Sequence, residues 1–285
     1  MPNCEISINN IIKNIEIDRP SFKFLKESYE KIINTRSNPI LENKLKNAVY
    51  EQLISYGQDK EYALENAMAL SNKELMTGEE LVVYPRYTLV GGMLFAEYVR
   101  FIIDEKCDGI GRSEPHQKYP NFSNTCALCV SYALNYGGIP IKDLCHLPFG
   151  VLKGEDGYLY YTGVPRIKEL LMNNWNKGKG IKPFSERINN KEFYKVFYSE
   201  KKEYLNIMTN PQLLQKVRKA NQDFFDTLKS LNQNGVVTMD IDGWGNAGGH
   251  TTFFDKESKG FLDGTNYLLY EDERIFVREL CFWKI

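Results

Sequence analysis

The sequence predicts an α+β protein, with helices through its first two thirds and an antiparallel sheet at its end. Two observations point there. Apolar residues recur at helical spacing in the first half, and the last fifty residues switch to Val-, Ile-, Phe- and Thr-rich runs broken by glycine. An apolar content of 42% with 26% charged residues suits a globular chain, and there is no internal repeat or low-complexity tract.

In chain order, Ser21–Arg36 carries Phe22, Phe24, Leu25, Tyr29, Ile32 and Ile33 on a rough 3.6-residue period. Pro39–Tyr56 aligns Leu41, Leu45, Val49, Leu53 and Ile54, and Glu61–Leu81 adds a third amphipathic helix. Residues 1–80 are therefore read as a helical region. No acid, base or nucleophile stands apart there, so docking to a partner and structural support are equally open. Composition shifts near Leu81, where Leu81–Pro85 reads as a short strand and a second domain, residues 81–285, is expected to begin. Gly91 and Gly92 precede an apolar helix from Met93 to about Glu105, and Gly109–Asn124, with Pro115 and Pro120, reads as a polar loop. Thr125–Tyr136 has helical pattern and stops at Gly137–Gly138 with Pro140 just beyond. Further helices are expected at Pro165–Asn176 and Pro211–Leu231. Strands are expected at Gly235–Ile241, Gly249–Phe254, Gly260–Asp263 and Arg274–Trp283.

Composition also removes classes of function. Thirty-six Lys and Arg against 37 Asp and Glu leave a formal charge of −1, without the basic surplus of a nucleic-acid binder. The longest apolar stretch, Tyr87–Ile103, is interrupted by Gly91, Gly92, Glu97 and Arg100, so no membrane insertion is expected. The first twenty residues lack the basic start, apolar core and small-residue cleavage site of a signal peptide. Six cysteines are too few for a disulfide scaffold, although Cys145 and Cys281 could pair in an oxidising compartment. Cys126 and Cys129 form the one CxxC, with no second CxxC to complete a zinc site, although Cys145–His146 keeps one open.

Chemistry gathers at two places. Asn124 and Thr125 suit a helix N-cap, which puts Cys126 in the first turn of its helix. There the free N–H groups and the helix dipole favour a thiolate and can stabilise an oxyanion. Cys129, one turn deeper, should face the core. Both being ordinary buried cysteines is the competing reading, and a redox CxxC pair a third, which lacks the preceding buried strand. Of three histidines, His116 lies in the polar loop and His146 follows Cys145. His250 is delivered by Gly248 and Gly249 onto the start of a strand. A lone histidine is more often structural, but one on a strand opposite a helix-start cysteine suits a nucleophile–base pair. The imidazole needs an orienting partner. Asp255 is an odd number of residues along the same strand, on the other face and roughly 16 Å away if the strand is extended. Asp263 lies on the next strand. A turn at Glu257–Ser258 makes it a same-face diagonal neighbour of His250, unless the register slips by one.

These residues resemble a known family, the type VI secretion amidase effectors of family 4, papain-like cysteine peptidases related to the NlpC group. The resemblance lies in Asn124-Thr125-Cys126-Ala127 followed by Ser131-Tyr132-Ala133-Leu134-Asn135-Tyr136 and Gly138. It lies also in Gly243-Trp244 leading to Ala247, Gly249-His250 and Thr252, with Leu89-Val90-Gly91-Gly92 upstream. It runs from about residue 85 to the C-terminus.

The resemblance implies a papain-like fold in which Cys126 is the nucleophile, His250 the general base and Asp263 the third member. Asn124, Trp244 and Gly249 would bind substrate or support the triad. The reaction implied is hydrolysis of an amide bond in the peptidoglycan stem peptide, typically between γ-D-glutamate and diaminopimelate, with no metal or organic cofactor. The partners implied are the stem peptide, a cognate immunity protein and a type VI secretion apparatus that delivers the enzyme to the target cell's periplasm. Four features depart from the family: Cys129 stands where arginine is usual, Phe254-Asp255 where tryptophan and Asp or Asn commonly follow, Lys177–Gln233 is longer, and the helical Met1–Glu80 is an extra region without a family counterpart. A cysteine peptidase or transglutaminase-like enzyme acting on protein, and a binding module on a dead peptidase fold, remain the alternatives.

Overall fold

The computed structural model describes residues 3–8, 11–16, 21–72, 74–76, 78, 80–107, 122–175, 185–189, 209–244, 248–270 and 275–285, with backbone alone at 3–16 and 185–189. His116 and most of the polar loop before Asn124 lie outside the described residues, as does the side chain of Cys4.

The chain opens with an antiparallel hairpin, β1 (Asn3–Ile8) and β2 (Ile11–Glu16). This corrects the all-helical reading of residues 1–80: both segments are rich in isoleucine, whose branched Cβ suits a strand. Helices α1 (Phe22–Ile33), α2 (Pro39–Ser55), α3 (Lys60–Ser71), α4 (Glu80–Val90) and α5 (Gly92–Lys106) follow. Ser21, Asn38 and Asp59 cap the first three through their side-chain oxygens. Leu81–Pro85, expected as a strand, lies inside α4. The buried residues Val83, Tyr84, Tyr87 and Thr88 fall one helical turn apart, so burial of that face overrides the β-branched composition.

Between α4 and α5, Gly91 and Gly92 take φ of +67° and +63°. A Cβ on Gly92 would lie 2.5 Å from the backbone nitrogen of Glu155, which itself donates to the Val90 carbonyl. The glycine pair therefore lets the turn between β3 (Leu152–Lys153) and β4 (Leu159–Tyr160) dock on the helix junction.

Helix α6 (Cys126–Tyr136) is buried along nearly its whole length and is followed, after β4, by α7 (Val164–Trp175). Two of its polar residues tie it down. Ser131 bonds to the backbone of Tyr161, while Asn135 donates to the Leu159 carbonyl and accepts from Ile141 N–H. Helix α8 (Pro211–Ser230) precedes the main strands. The five-stranded antiparallel sheet runs β5 (Ser185–Asn189), β9 (Phe276–Lys284), β6 (Gly235–Asp242), β7 (Gly249–Asp255), β8 (Gly260–Phe261).

Strand alternation divides the core into two layers. Val236, Phe253, Cys281 and Trp283 pack with helices α1 to α7, and Val237, Met239, Phe254, Leu280 and Phe282 pack with Phe224, Phe225 and Leu228 of α8. Leu25, Tyr29, Ile32, Leu45, Val49, Leu53 and Leu70 share the first cluster with Leu128, Cys129 and Phe253, so residues on both sides of Leu81 bury one another. Among the described side chains no disulfide joins any two of the five cysteines. Cys145 is exposed and Cys281 buried, and the pairing considered between them is not formed.

Candidate active site

Cys126 is the first residue of α6. The Asn124 side-chain oxygen accepts the Cys126 N–H at 3.0 Å, a local turn that fixes the entry to the helix. That bond occupies the Cys126 N–H, one of the groups expected to be open to an oxyanion. Thr125 makes no side-chain cap. Its hydroxyl instead accepts from the Arg86 guanidinium of α4, whose other terminal nitrogen donates to the Ile33 carbonyl at 2.8 Å. Cys129 is buried, and burial pushes its thiol up to about 12. It behaves as a core residue beside the more accessible Cys126.

His250 is the second residue of β7, opposite Met239 of β6. Gly249 before it has no room for a side chain, because a Cβ there would lie 2.4 Å from the Met239 carbonyl oxygen. Strand β8 pairs only with Phe254 and Asp255, so among the described residues no strand covers the outer edge of β7 beside His250. The ladder joins Phe254 to Phe261 and Asp255 to Gly260, the register expected from a turn at Glu257–Ser258. The chain then turns and brings Asp263 back: its Oδ2 lies 2.7 Å from His250 Nε2. Asp255 takes the opposite face and pairs with Lys26 Nζ at 2.8 Å.

Asp263 is itself held. Its Oδ1 accepts the Thr265 N–H at 3.1 Å, and Thr265 Oγ1 stands 3.4 Å from His250 Nε2. Burial works against a charged imidazole, but the hydrogen bond it donates to Asp263, together with the Cys126 thiol and the Asp263 charge, outweighs it and raises the His250 pKa to about 10. For Asp263, burial favours the neutral acid, yet the bond and charge of His250 prevail and hold the carboxyl below its usual range. The arrangement therefore favours an imidazolium flanked by two groups able to carry negative charge.

Trp244 does not touch His250 directly. Its ring meets Tyr267 edge-on at 4.6 Å, and Tyr267 meets the imidazole edge-on at 4.9 Å, so Tyr267 links the two rings by edge contacts. Three further residues at the site escaped the sequence reading. Thr265 had a signal, since Asp263-Gly264-Thr265 has the form of a turn in which the aspartate accepts the N–H two residues on. Tyr267 and Tyr29 had none beyond being aromatic. Tyr29 reaches the site from α1, its hydroxyl 3.1 Å from Thr252 Oγ1 and 3.5 Å from Asp263 Oδ2. Among the described residues no group of three or more His, Cys, Asp or Glu is placed to hold a metal ion, and no helix is long and apolar enough to cross a membrane.

No family model matches the sequence, and no curated protein matches it. Among solved structures the chain is similar to the effector Tae4 of Salmonella typhimurium in complex with the immunity protein Tai4 of Enterobacter cloacae. The identity is 16% and the TM-score 0.44, over 94% of this chain and 99% of that one. It is similar also to the type VI effector Tae4 of Enterobacter cloacae, at 16% identity and a TM-score of 0.42, over 95% and 99% of the two chains. The Enterobacter cloacae Tae4–Tai4 complex gives 19% identity and a TM-score of 0.38, over 71% of this chain. Likeness of this size establishes neither activity nor substrate.

Proposed function

We propose that the chain is a cysteine-dependent amidase that hydrolyses an amide bond in the stem peptide of peptidoglycan. The observation that carries the reaction type is one constellation. A cysteine starts a buried helix, its thiol is among the groups that raise the pKa of a strand histidine, and an aspartate lies 2.7 Å from Nε2 of that histidine. The substrate class rests on the motif resemblance, in which Asn124-Thr125-Cys126 and Gly249-His250 are the quoted blocks. Bond choice between γ-D-glutamate and diaminopimelate, delivery by a type VI apparatus to the periplasm, and an immunity partner belong to the same proposal.

With His250 Nε2 committed to Asp263, the other ring nitrogen works on the thiol. His250 takes the Cys126 proton, and the sulfur adds to the amide carbonyl to give a tetrahedral oxyanion. As the C–N bond breaks, the imidazolium passes its proton to the departing amine, leaving a thioester. Water, giving a proton to His250, then attacks the thioester carbonyl. The acid is released and the proton returns to sulfur. Asp263 stays ionised throughout and keeps the ring oriented.

Purified sacculi, incubated with wild type, Cys126→Ala and His250→Ala and followed by mass analysis of soluble fragments, test the reading. Wild type is expected to release fragments with a new amine and a new carboxylate at one stem bond, and both variants to remain folded and release none. Turnover by either variant at the wild-type rate overturns cysteine catalysis. Cleavage of a denatured protein in place of sacculi overturns the substrate class.

A further inference from the structure

Helix α1 touches the elements that carry the site at three points on one stripe. Lys26, Tyr29 and Ile33 are three and four residues apart, so they lie along one helix face. Lys26 Nζ pairs with Asp255 at the end of β7 at 2.8 Å. The Ile33 carbonyl receives Arg86, which in turn holds Thr125 beside Cys126. Between them, Tyr29 is 1% exposed, its ring edge-on to Phe253 at 5.1 Å and its hydroxyl within reach of Thr252 and Asp263.

A buried tyrosine ring needs only apolar neighbours, but its hydroxyl must find partners. Here it has two, and their chemistry assigns the roles. A carboxylate can only accept, whereas a threonine hydroxyl can donate as well as accept. The arrangement that satisfies all three groups has Thr252 donating to Tyr29 and Tyr29 donating to Asp263. The oxygen approached is Oδ2, the same atom that bonds His250 Nε2. Oδ1 is taken by the Thr265 N–H, so both carboxylate oxygens are held from outside the imidazole.

We propose that Tyr29 is a positioning residue for the triad: its hydroxyl, braced by Thr252, fixes the Asp263 carboxylate against His250. The proposal rests on reading Cys126, His250 and Asp263 as that triad. It makes the first helix part of the active site's supporting structure. Burial, reinforced by the charge of Asp263, raises the Tyr29 pKa well above its ordinary value, which keeps the hydroxyl a donor wherever the enzyme works. Without it the carboxylate can swing about its side-chain torsions, and the imidazolium loses part of the partner that stabilises it.

The test uses the full-length protein on sacculi, with kcat, KM and the pH profile measured for wild type, Tyr29→Phe, Ile32→Val and His250→Ala. Tyr29→Phe keeps the ring in the core and deletes one hydroxyl. It is expected to lower kcat roughly ten-fold with KM unchanged. It should also move the alkaline limb of the profile, where His250 loses its proton, to lower pH. Ile32→Val loosens the same buried helix without approaching Asp263 and should leave the limb in place. Wild-type kinetics in Tyr29→Phe, a loss of kcat without a shift of the limb, or an equal shift in Ile32→Val each overturns the proposal. Turnover surviving in His250→Ala overturns the triad itself, and is recognisable as that separate failure.

Discussion

Two aspartates, Asp255 at the end of β7 and Asp263 in the turn after β8, give the sharpest test of the site. Asp263→Asn deletes the charge beside His250 with little change in shape. In the wild type the His250 pKa stands at about 10 against an ordinary 6.5. At 1.36 kcal/mol for each tenfold step, that rise is a preference of about 5 kcal/mol for the imidazolium, shared between Asp263 and Cys126. Losing the charge-assisted bond to Asp263 puts the expected cost on the order of 2–3 kcal/mol, or roughly a hundred-fold in turnover. Asp255→Asn should behave differently. Asp255 is buried, but its partner Lys26 is 38% exposed, and solvent screening leaves the pair about 1 kcal/mol of stability. The amide oxygen can still accept the Glu257 N–H now taken by Asp255 Oδ1. Asp255→Asn should therefore lower the urea midpoint slightly and leave turnover within about two-fold of wild type. The assay is initial release of soluble fragments from sacculi, paired with urea unfolding of the same preparations. A larger loss of turnover in Asp255→Asn than in Asp263→Asn, or a wild-type rate in Asp263→Asn, refutes the assignment.

The raised His250 pKa also gives stability a sign: its contribution is complete below pH 6.5 and is lost as pH climbs through about 10. Urea unfolding of wild type should weaken over that window, and Asp263→Asn should flatten the dependence. Gly249→Ala should lose stability and turnover together, by roughly 1–3 kcal/mol in stability, because the new Cβ meets the Met239 carbonyl at 2.4 Å. Gly248→Ala, which meets nothing within 4 Å, is the matched control and should unfold at the wild-type urea concentration. A chain beginning at Leu81 should be insoluble or inactive on sacculi, since it lacks Leu25, Tyr29, Ile32, Leu45, Val49, Leu53 and Leu70 of the shared cluster. Full hydrolysis by that truncated chain would establish that residues 81–285 close a core by themselves.

What could be read from the sequence was what depends on short separations. That Asp263, and not Asp255, comes beside His250 could be read because a strand alternates every residue and a tight turn fixes where the chain comes back. Two numbers, thirteen residues apart, sufficed. Cys126 could be put at a helix start because Asn124 and Thr125 precede it, though which of them would cap was not legible. Asn124 takes the N–H, and Thr125 is drawn away by Arg86 from 39 residues upstream. Leu81–Pro85 misled for the converse reason. Its Leu-Val-Val-Tyr composition favours a strand in isolation, and only the neighbours that bury Val83, Tyr84, Tyr87 and Thr88 make it a helix.

Tyr29 marks where local reading ends. Its helical stripe identified it as a buried aromatic, but its partner Asp263 is 234 residues away, and no periodicity connects them. The same blindness made Leu81 look like a division in the chain. A shift in composition marks where one kind of local pattern gives way to another, and it carries no information about which surfaces close on each other. The helices before Leu81 held no candidate acid, base or nucleophile, and none of their side chains touches Cys126 or His250 by hydrogen bond among the described residues. Their bearing on the site is exerted one step out, through the Asp263 carboxylate and through Arg86 at Thr125. A contribution of that kind leaves no motif at the contributing residue, because any helix with a tyrosine on its buried stripe looks the same until the fold brings a carboxylate to its hydroxyl.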